Sequence, residues 1–132
     1  MREMRDAFHL AIPALDLDAA EDFYVRGLGA KLARRYPDRI TLDFFGDQVV
    51  CHLSDKIEHE PDLYPRHFGV TFRSKEDFDR LVHLAETRKL PFHAPTFTRF
   101  AGTAEEHRSF VLQDPSNNLL EFKHYLDPRM MY

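Results

Sequence analysis

Residues 67–90 read HFGVTFRSKEDFDRLVHLAETRKL, a short β-like run followed by a helical one. Ser74 and Asp77 lie at the spacing of a helix-capping box, and an apolar stripe at helical spacing follows them. Three further β-like runs come next, PFHAPTFTRF, HRSFVLQD and NLLEFKHY, of which the last two are joined by the turn DPSNN. This half of the chain therefore predicts the order β-α-β-β-β.

The first half of the chain repeats the same order. AFHLAI at residues 7–12 predicts a strand that ends at Pro13, and Asp16 is the expected N-cap of a helix that ends near Gly27 and Gly29. Three β-like runs follow, AKLARRYP, RITLDFFG and QVVCHLS. The predicted fold class is therefore α+β, with two βαβββ modules related by a pseudo-twofold axis.

The length of 132 residues fits one domain that buries a core without disulfides. We expect a single domain over residues 1–132, with one module at about 6–54, a linker at about 55–65, a second module at about 66–125 and a tail at 126–132. The hydrophobic fraction of 43% and the charged fraction of 30% are those of a globular protein. Disorder is therefore not expected.

Charge and hydropathy exclude several partner classes. The formal net charge of −4 gives no basic footprint for nucleic acid or for an anionic membrane surface. The sequence contains no apolar run of about 18 residues and begins with no signal-peptide pattern, so a cytoplasmic location is expected. The single cysteine, Cys51, lies in an apolar run and is expected to be a buried hydrophobe. A small-molecule substrate remains the expected partner.

Four polar residues interrupt the apolar strands. His9 and His67 lie in the first strand of the two modules and are interpreted as repeat equivalents. His52 and Glu121 lie in the last strand of each module and are interpreted as a second equivalent pair. A carboxylate rarely enters a core unless it is paired or holds a metal. The repeat therefore predicts that these groups converge near the pseudo-twofold axis.

Two imidazoles and one carboxylate are the ligands of the facial triad, which binds Fe(II) and related divalent ions and leaves positions open for substrate or dioxygen. We therefore predict that His9, His67 and Glu121 hold a metal. Plainer interpretations stay open at this point. Each histidine alone is typical of a surface or satisfied core residue, Glu121 can pair with Lys123 at a strand edge, and His52 is a possible fourth ligand.

The segments FHLAI, DFYVRGLGAKL, HFGVTF and VLQDPSNNLLEF together resemble the vicinal oxygen chelate superfamily, over roughly residues 6–125. This group contains glyoxalase I, bleomycin-resistance proteins, fosfomycin-modifying thiol transferases and extradiol dioxygenases. The sequence is most similar to small single-domain proteins described as predicted extradiol-type dioxygenases. The resemblance implies that the two modules form a cupped mixed sheet around a metal site, that His9, His67 and Glu121 are the metal ligands, and that the protein is a homodimer.

Two features of the sequence differ from particular members of this superfamily and reduce the number of activities that the resemblance implies. His52 stands where glyoxalase I places a glutamate ligand, which puts a glyoxalase assignment in doubt. The segment FTRFAGTAEEHRSF offers no clear match to the phosphonate-binding Lys and Ser cluster of the fosfomycin enzymes. Fosfomycin resistance is therefore not expected.

The function predicted first is an Fe(II)-dependent extradiol-type dioxygenase that acts on a small vicinal diol or catechol-like compound, with Mn, Zn, Ni or Co as other possible metals. Strand alternation places Lys123 and Tyr125 on the face of Glu121, and these two residues and His52 are the predicted catalytic groups. His107 is a further candidate base.

Residues 95–108 are interpreted either as a lid over the metal, with Arg99 and His107 binding the substrate, or as a solvated hairpin. Two alternative functions are kept open for the whole chain. One is a redox-neutral lyase, isomerase or epimerase that uses a divalent metal. The other is a metal-free protein that binds a flat hydrophobic compound, as bleomycin-resistance relatives do.

Overall fold

Eight strands and two main helices alternate in the order β-α-β-β-β, twice over, in a computed structural model that describes all 132 residues. The helices are α1, Leu17–Glu21, which continues as a π-helical segment over Asp22–Gly27, and α2, Lys75–Thr87; a 3₁₀ turn covers Pro128–Met131. The strands are β1 His9–Ala14, β2 Lys31–Tyr36, β3 Arg39–Phe44, β4 Asp47–Leu53, β5 Phe68–Thr71, β6 Phe92–Arg99, β7 His107–Gln113 and β8 Leu119–Tyr125. The predicted α+β fold with two similar modules is confirmed.

The strands form two four-stranded sheets, in the orders β1-β4-β3-β2 and β5-β8-β7-β6. In each sheet the first strand of the module pairs in parallel with the last strand, and the other pairs are antiparallel. Within one chain the two sheets are not joined by strand pairing, so β1 and β5 are edge strands. Each edge presents unpaired backbone groups that another strand can use.

Both helices begin where the sequence predicts. The Asp16 side chain accepts a hydrogen bond from the backbone N–H of Ala19 at 3.0 Å, and Ser74 accepts one from Asp77 at 3.2 Å. The predicted apolar stripe of α2 is the face that packs on the core. Neither helix combines the length and the apolar character needed to cross a membrane.

One hydrophobic core is shared by the two modules. Phe44 of β3 and Phe122 of β8 lie 6.5 Å apart between ring centroids, and Phe110 of β7 stacks on Phe122 at 5.2 Å. Because side chains alternate along a strand, Glu121 and its same-face neighbours point away from this core. We call the side of the second sheet that carries Glu121 its outer face.

A buried polar network, which we call the inter-module latch, joins the turn after β7 to the first module. The Tyr24 hydroxyl donates to Oδ2 of Asp114 at 2.7 Å, and Nδ2 of Asn118 donates to the same oxygen at 2.8 Å. The backbone N–H groups of Ser116 and Asn118 donate to Oδ1, and Nδ2 of Asn118 also reaches the Pro13 carbonyl oxygen at 3.0 Å. Burial raises the pKa of Tyr24 well above its usual value, which keeps the donating proton on the hydroxyl.

Cys51 lies in β4 with no exposed surface, as its apolar run predicts. Burial raises the pKa of its thiol to about 12, so almost no thiolate is present near neutral pH. We expect an aromatic disulfide reagent to leave the native thiol unmodified while it labels the protein at once in guanidinium chloride. Rapid labelling of the native protein would contradict this burial.

Candidate metal centre

His67 and Glu121 contact each other on the outer face of the second sheet. Glu121 is opposite Gly69 in the β5–β8 register, and His67 comes just before β5. Nε2 of His67 lies 2.9 Å from Oε2 of Glu121, whose side chain is 6% exposed. Nδ1 of His67 lies 2.6 Å from the Leu63 carbonyl oxygen. The imidazole is thus held between one backbone acceptor and one carboxylate.

This geometry constrains the protons of His67. A carbonyl oxygen only accepts, so Nδ1 carries the hydrogen and, in the neutral ring, Nε2 presents a lone pair. A lone pair and a carboxylate oxygen at 2.9 Å require a shared proton or a shared cation between them. Metal-bound histidines commonly donate their other ring N–H to a backbone carbonyl. The environment of His67 therefore fits a metal ligand.

The alternative pairing of Glu121 with Lys123 is not formed, because the ion-pair partner of Glu121 is His67. His9 lies on the other sheet, where its Nδ1 is 2.6 Å from Oε1 of Gln48 and its side chain is exposed. No three His, Cys, Asp or Glu side chains in one chain are placed to hold a metal. A single chain therefore brings together two of the three predicted ligands, and His9 stays apart from them.

The packing of the modules explains this separation. The two sheets share a core through their Phe and Leu faces, so the faces that carry His9 and Glu121 both turn away from that core.

At Gly69 the backbone of β5 leaves no room for a side chain against β8. A Cβ at this position would collide with the backbone carbonyl of Glu121. We expect Gly69→Ala to lower the free energy of unfolding by about 2 kcal/mol, because the strands must separate to admit the methyl group. Urea denaturation measures the change. The matched variant Thr71→Ala, on the same strand face, should change stability by less than about 0.5 kcal/mol, and equal losses in both would contradict the close approach.

The strand register corrects one sequence prediction. Ala11 follows His9 by two residues, and Gly69 follows His67 by two residues, so Ala11 and Gly69 are equivalent positions of the two modules. Ala11 is opposite Val50 in the first sheet, and Gly69 is opposite Glu121 in the second sheet. Val50 is therefore the equivalent of Glu121, and the predicted equivalence of His52 and Glu121 is wrong. The sequence gives the order of the strands but not their pairing register.

The same register gives the position of His52 on β4. His52 is opposite Pro13, is exposed, and follows Val50 by two residues, or about 7 Å along the strand. Val50, the equivalent of Glu121, is apolar and provides no ligand atom.

The other predicted residues form two rows across the outer face of the second sheet. Lys123 follows Glu121 by two residues, about 7 Å along β8. The next row contains Tyr125, His107 and Arg99, which are opposite one another on β8, β7 and β6. The rings of His107 and Tyr125 lie 4.7 Å apart. The sheet thus places these residues on the face that carries Glu121.

Residues 95–108 form most of the β6–β7 hairpin, not a separate lid. Its tip is held by the backbone N–H of Gly102, which donates to Oε1 of Glu106 at 2.6 Å. The Arg99 guanidinium lies 5.3 Å from the ring centroid of Tyr64, and Tyr64 meets the His67 ring edge-on at 5.8 Å. Tyr64 therefore connects Arg99 to the contacting pair of His67 and Glu121.

Several residues around the centre were not predicted from the sequence. Leu63 and Tyr64 belong to the linker, and nothing in their composition indicates a contact with His67. Gln48 orients His9 and is likewise absent from the predicted set. Ser109 lies opposite Lys123, on the same face of β7 as His107. The alternation of side chains along HRSFVLQ could have predicted that Ser109 faces the site.

Comparison with known proteins identifies the superfamily of this chain. A sequence model of the Glyoxalase/Bleomycin resistance protein/Dioxygenase superfamily matches residues 7–122. The chain belongs to this superfamily. Members of the superfamily are mostly enzymes, commonly use divalent metals, and commonly bind small molecules and form dimers. A comparison with curated proteins found no match.

Solved structures of the superfamily share the fold. A glyoxalase/bleomycin resistance protein/dioxygenase from Alicyclobacillus acidocaldarius is 66% identical, with a TM-score of 0.97 and full coverage of both chains. A genomically encoded fosfomycin resistance protein, FosX, from Listeria monocytogenes is 18% identical, with a TM-score of 0.73 over 94% of this chain and 97% of that one. A lactoylglutathione lyase from Agrobacterium tumefaciens is also 18% identical, with a TM-score of 0.69 over 90% and 92%.

Proposed function

We propose that this superfamily member is a metal-dependent enzyme whose cation is held by His67 and Glu121 of one copy and His9 of a second copy. The observation that carries the proposal is the His67 imidazole, which is fixed by Leu63 on one side and faces a buried carboxylate on the other. His9 has matching geometry, since Gln48 contacts its Nδ1 and leaves Nε2 free. Each histidine is thus oriented for coordination through Nε2.

The surface between the two modules supports a second copy as the source of the third ligand. Edge strands β1 and β5 line one apolar groove of about 260 Å³, and Phe8 beside it is 57% exposed. A twofold dimer that sets β1 of one copy against β5 of the other would cover both edges at once. It would also place His9 of one copy beside β5 of the other copy, the strand that directly follows His67. The predicted homodimer is therefore part of the proposed site.

The ligand set favours an extradiol-type dioxygenase that acts on a small vicinal diol or catechol-like compound. A bound Fe(II) would supply Lewis acidity toward two vicinal oxygens and an open position for dioxygen. Val50 in place of a fourth ligand favours this three-ligand chemistry over a four-ligand isomerase. The set of nitrogen and oxygen ligands also accepts Mn, Zn, Ni or Co.

The protein groups have separate roles in this proposal. Leu63 and Gln48 fix the tautomers of the two histidines. Lys123 is the predicted catalytic residue nearest to Glu121 along β8. Tyr125 lies one step further and borders the distal end of the substrate.

Anaerobic purification, metal analysis and oxygen uptake with a catechol panel test the proposal. We expect about one Fe per chain after reconstitution and uptake of about one dioxygen per catechol. Glu121→Gln should lose both, whereas Glu60→Gln, at an exposed site, should keep both. Bound metal with no oxygen uptake but turnover of a thiohemiacetal or an epimer would establish the lyase or isomerase alternative. Ligand binding without any metal would establish a metal-free binding protein.

A further inference from the structure

We propose that Ser109, Lys123 and Arg99 form an anion subsite on the outer face of the second sheet, so that the substrate of this centre carries a carboxylate. The inference rests on the proposed function for the identity of the reacting group, but the subsite itself does not depend on the metal.

Ser109 is the first observation. Its side chain has no exposed surface, and its hydroxyl has no hydrogen-bond partner. A buried hydroxyl without a partner lowers stability, so its presence at this position calls for a physical explanation. Ser109 is opposite Lys123 on β8 and Phe97 on β6. The unpartnered group thus lies in the row directly beyond that of Glu121.

The charges on this face are the second observation. Lys123 and Arg99 have no carboxylate within ion-pair distance, as is also true of other basic residues such as Lys31 and Arg34. Nζ of Lys123 lies 5.4 Å from the ring centroid of Tyr125, and the Arg99 guanidinium is placed on aromatic rings in the same way. Two cations that make no ion pair on one sheet face are suited to an anion.

The distance between the residue rows on this face indicates the chemical class of the substrate. Lys123 and Ser109 are about 7 Å along the sheet from the row of Glu121, and Arg99 lies one row further. A single aromatic ring spans this distance when its carboxylate and its hydroxyl groups are at opposite ends. The Ser109 hydroxyl is fully buried, so the proposal requires the Lys123 side chain, which no ion pair holds, to turn toward the anion and uncover this hydroxyl. The expected substrate is therefore a diol-bearing aromatic carboxylate.

Nuclear magnetic resonance titration of the metal-free full chain tests the subsite with three probes: benzoate, 3,4-dihydroxybenzoate and uncharged catechol. We expect both carboxylates to shift the backbone amide signals of Ser109, Lys123 and Arg99, and catechol to leave them unchanged. Lys123→Met and Ser109→Ala should each weaken carboxylate binding about tenfold. Ser109→Ala removes only an unpartnered hydroxyl, so it should remain folded. The control Lys31→Met, on exposed β2, should bind as the wild type does.

The outcomes separate the subsite from the proposed function. Carboxylates that cause no shifts, or that bind both variants as tightly as the wild type, would overturn the subsite. Carboxylate binding that depends on Lys123 and Ser109 would support it even if the protein bound no metal, in which case only the proposed enzymatic function would fail.

Discussion

Replacing Glu121 by Gln is expected to weaken binding of a divalent cation by about a thousandfold, because it removes the one buried carboxylate of the site while preserving its shape. The carboxylate is 6% exposed and contacts Nε2 of His67 directly. Competition with a chromophoric chelator for Mn²⁺ and Zn²⁺ measures the affinity. The fold should persist, since glutamine fills the same volume and can still contact the imidazole.

Two controls make this result specific. Glu60→Gln removes an exposed carboxylate and should leave the cation affinity unchanged. Gln48→Ala, which removes the contact that orients His9, should weaken binding by about tenfold to a hundredfold, the effect typical of a group that positions a ligand. Unchanged affinity in Glu121→Gln would exclude this carboxylate as a ligand.

Replacing Asp114 by Ala is expected to lower the free energy of unfolding by about 4 kcal/mol. The carboxylate accepts hydrogen bonds from Tyr24, from Asn118 and from two backbone N–H groups, and its loss leaves these donors buried without a partner. The latch also connects the two modules through Pro13 and Leu15, whose backbone groups bond to the same turn.

Chemical denaturation of the isolated variant gives the size of this effect. Asp55→Ala, at an exposed position of the linker, serves as the matched control and should change stability by less than about 0.5 kcal/mol. A loss below about 1 kcal/mol in Asp114→Ala would show that the latch is not a main contributor to stability.

Patterns formed by residues close together in the sequence predicted much of the fold. The caps at Asp16 and Ser74 and the apolar face of α2 follow from spacing within one helix, and the structure confirms them. Alternation along NLLEFKHY placed Lys123 with Glu121 on one face and Phe122 in the core, because the period of a strand is fixed by its geometry.

Features that depend on distant parts of the chain were not predicted. The assignment of His52 failed because register is set by pairing and turn geometry, which element order does not contain. The bond from Tyr24 to Asp114 joins residues 90 positions apart, and no local pattern indicates it. The Leu63 carbonyl that orients His67 lies in an irregular linker, where periodicity gives no information. The separation of His9 from Glu121 likewise follows from the packing of whole modules.

Mixing two inactive variants tests the shared site most directly. His9→Ala and Glu121→Ala chains each lack one ligand, and neither homodimer should bind a divalent cation tightly. After joint unfolding and refolding at equal concentrations, heterodimers should regain one intact site each, or about one tight Mn²⁺ site per four chains, as measured by isothermal titration. A mixture with no tight site, although each variant alone is dimeric, would contradict a cation held between two copies.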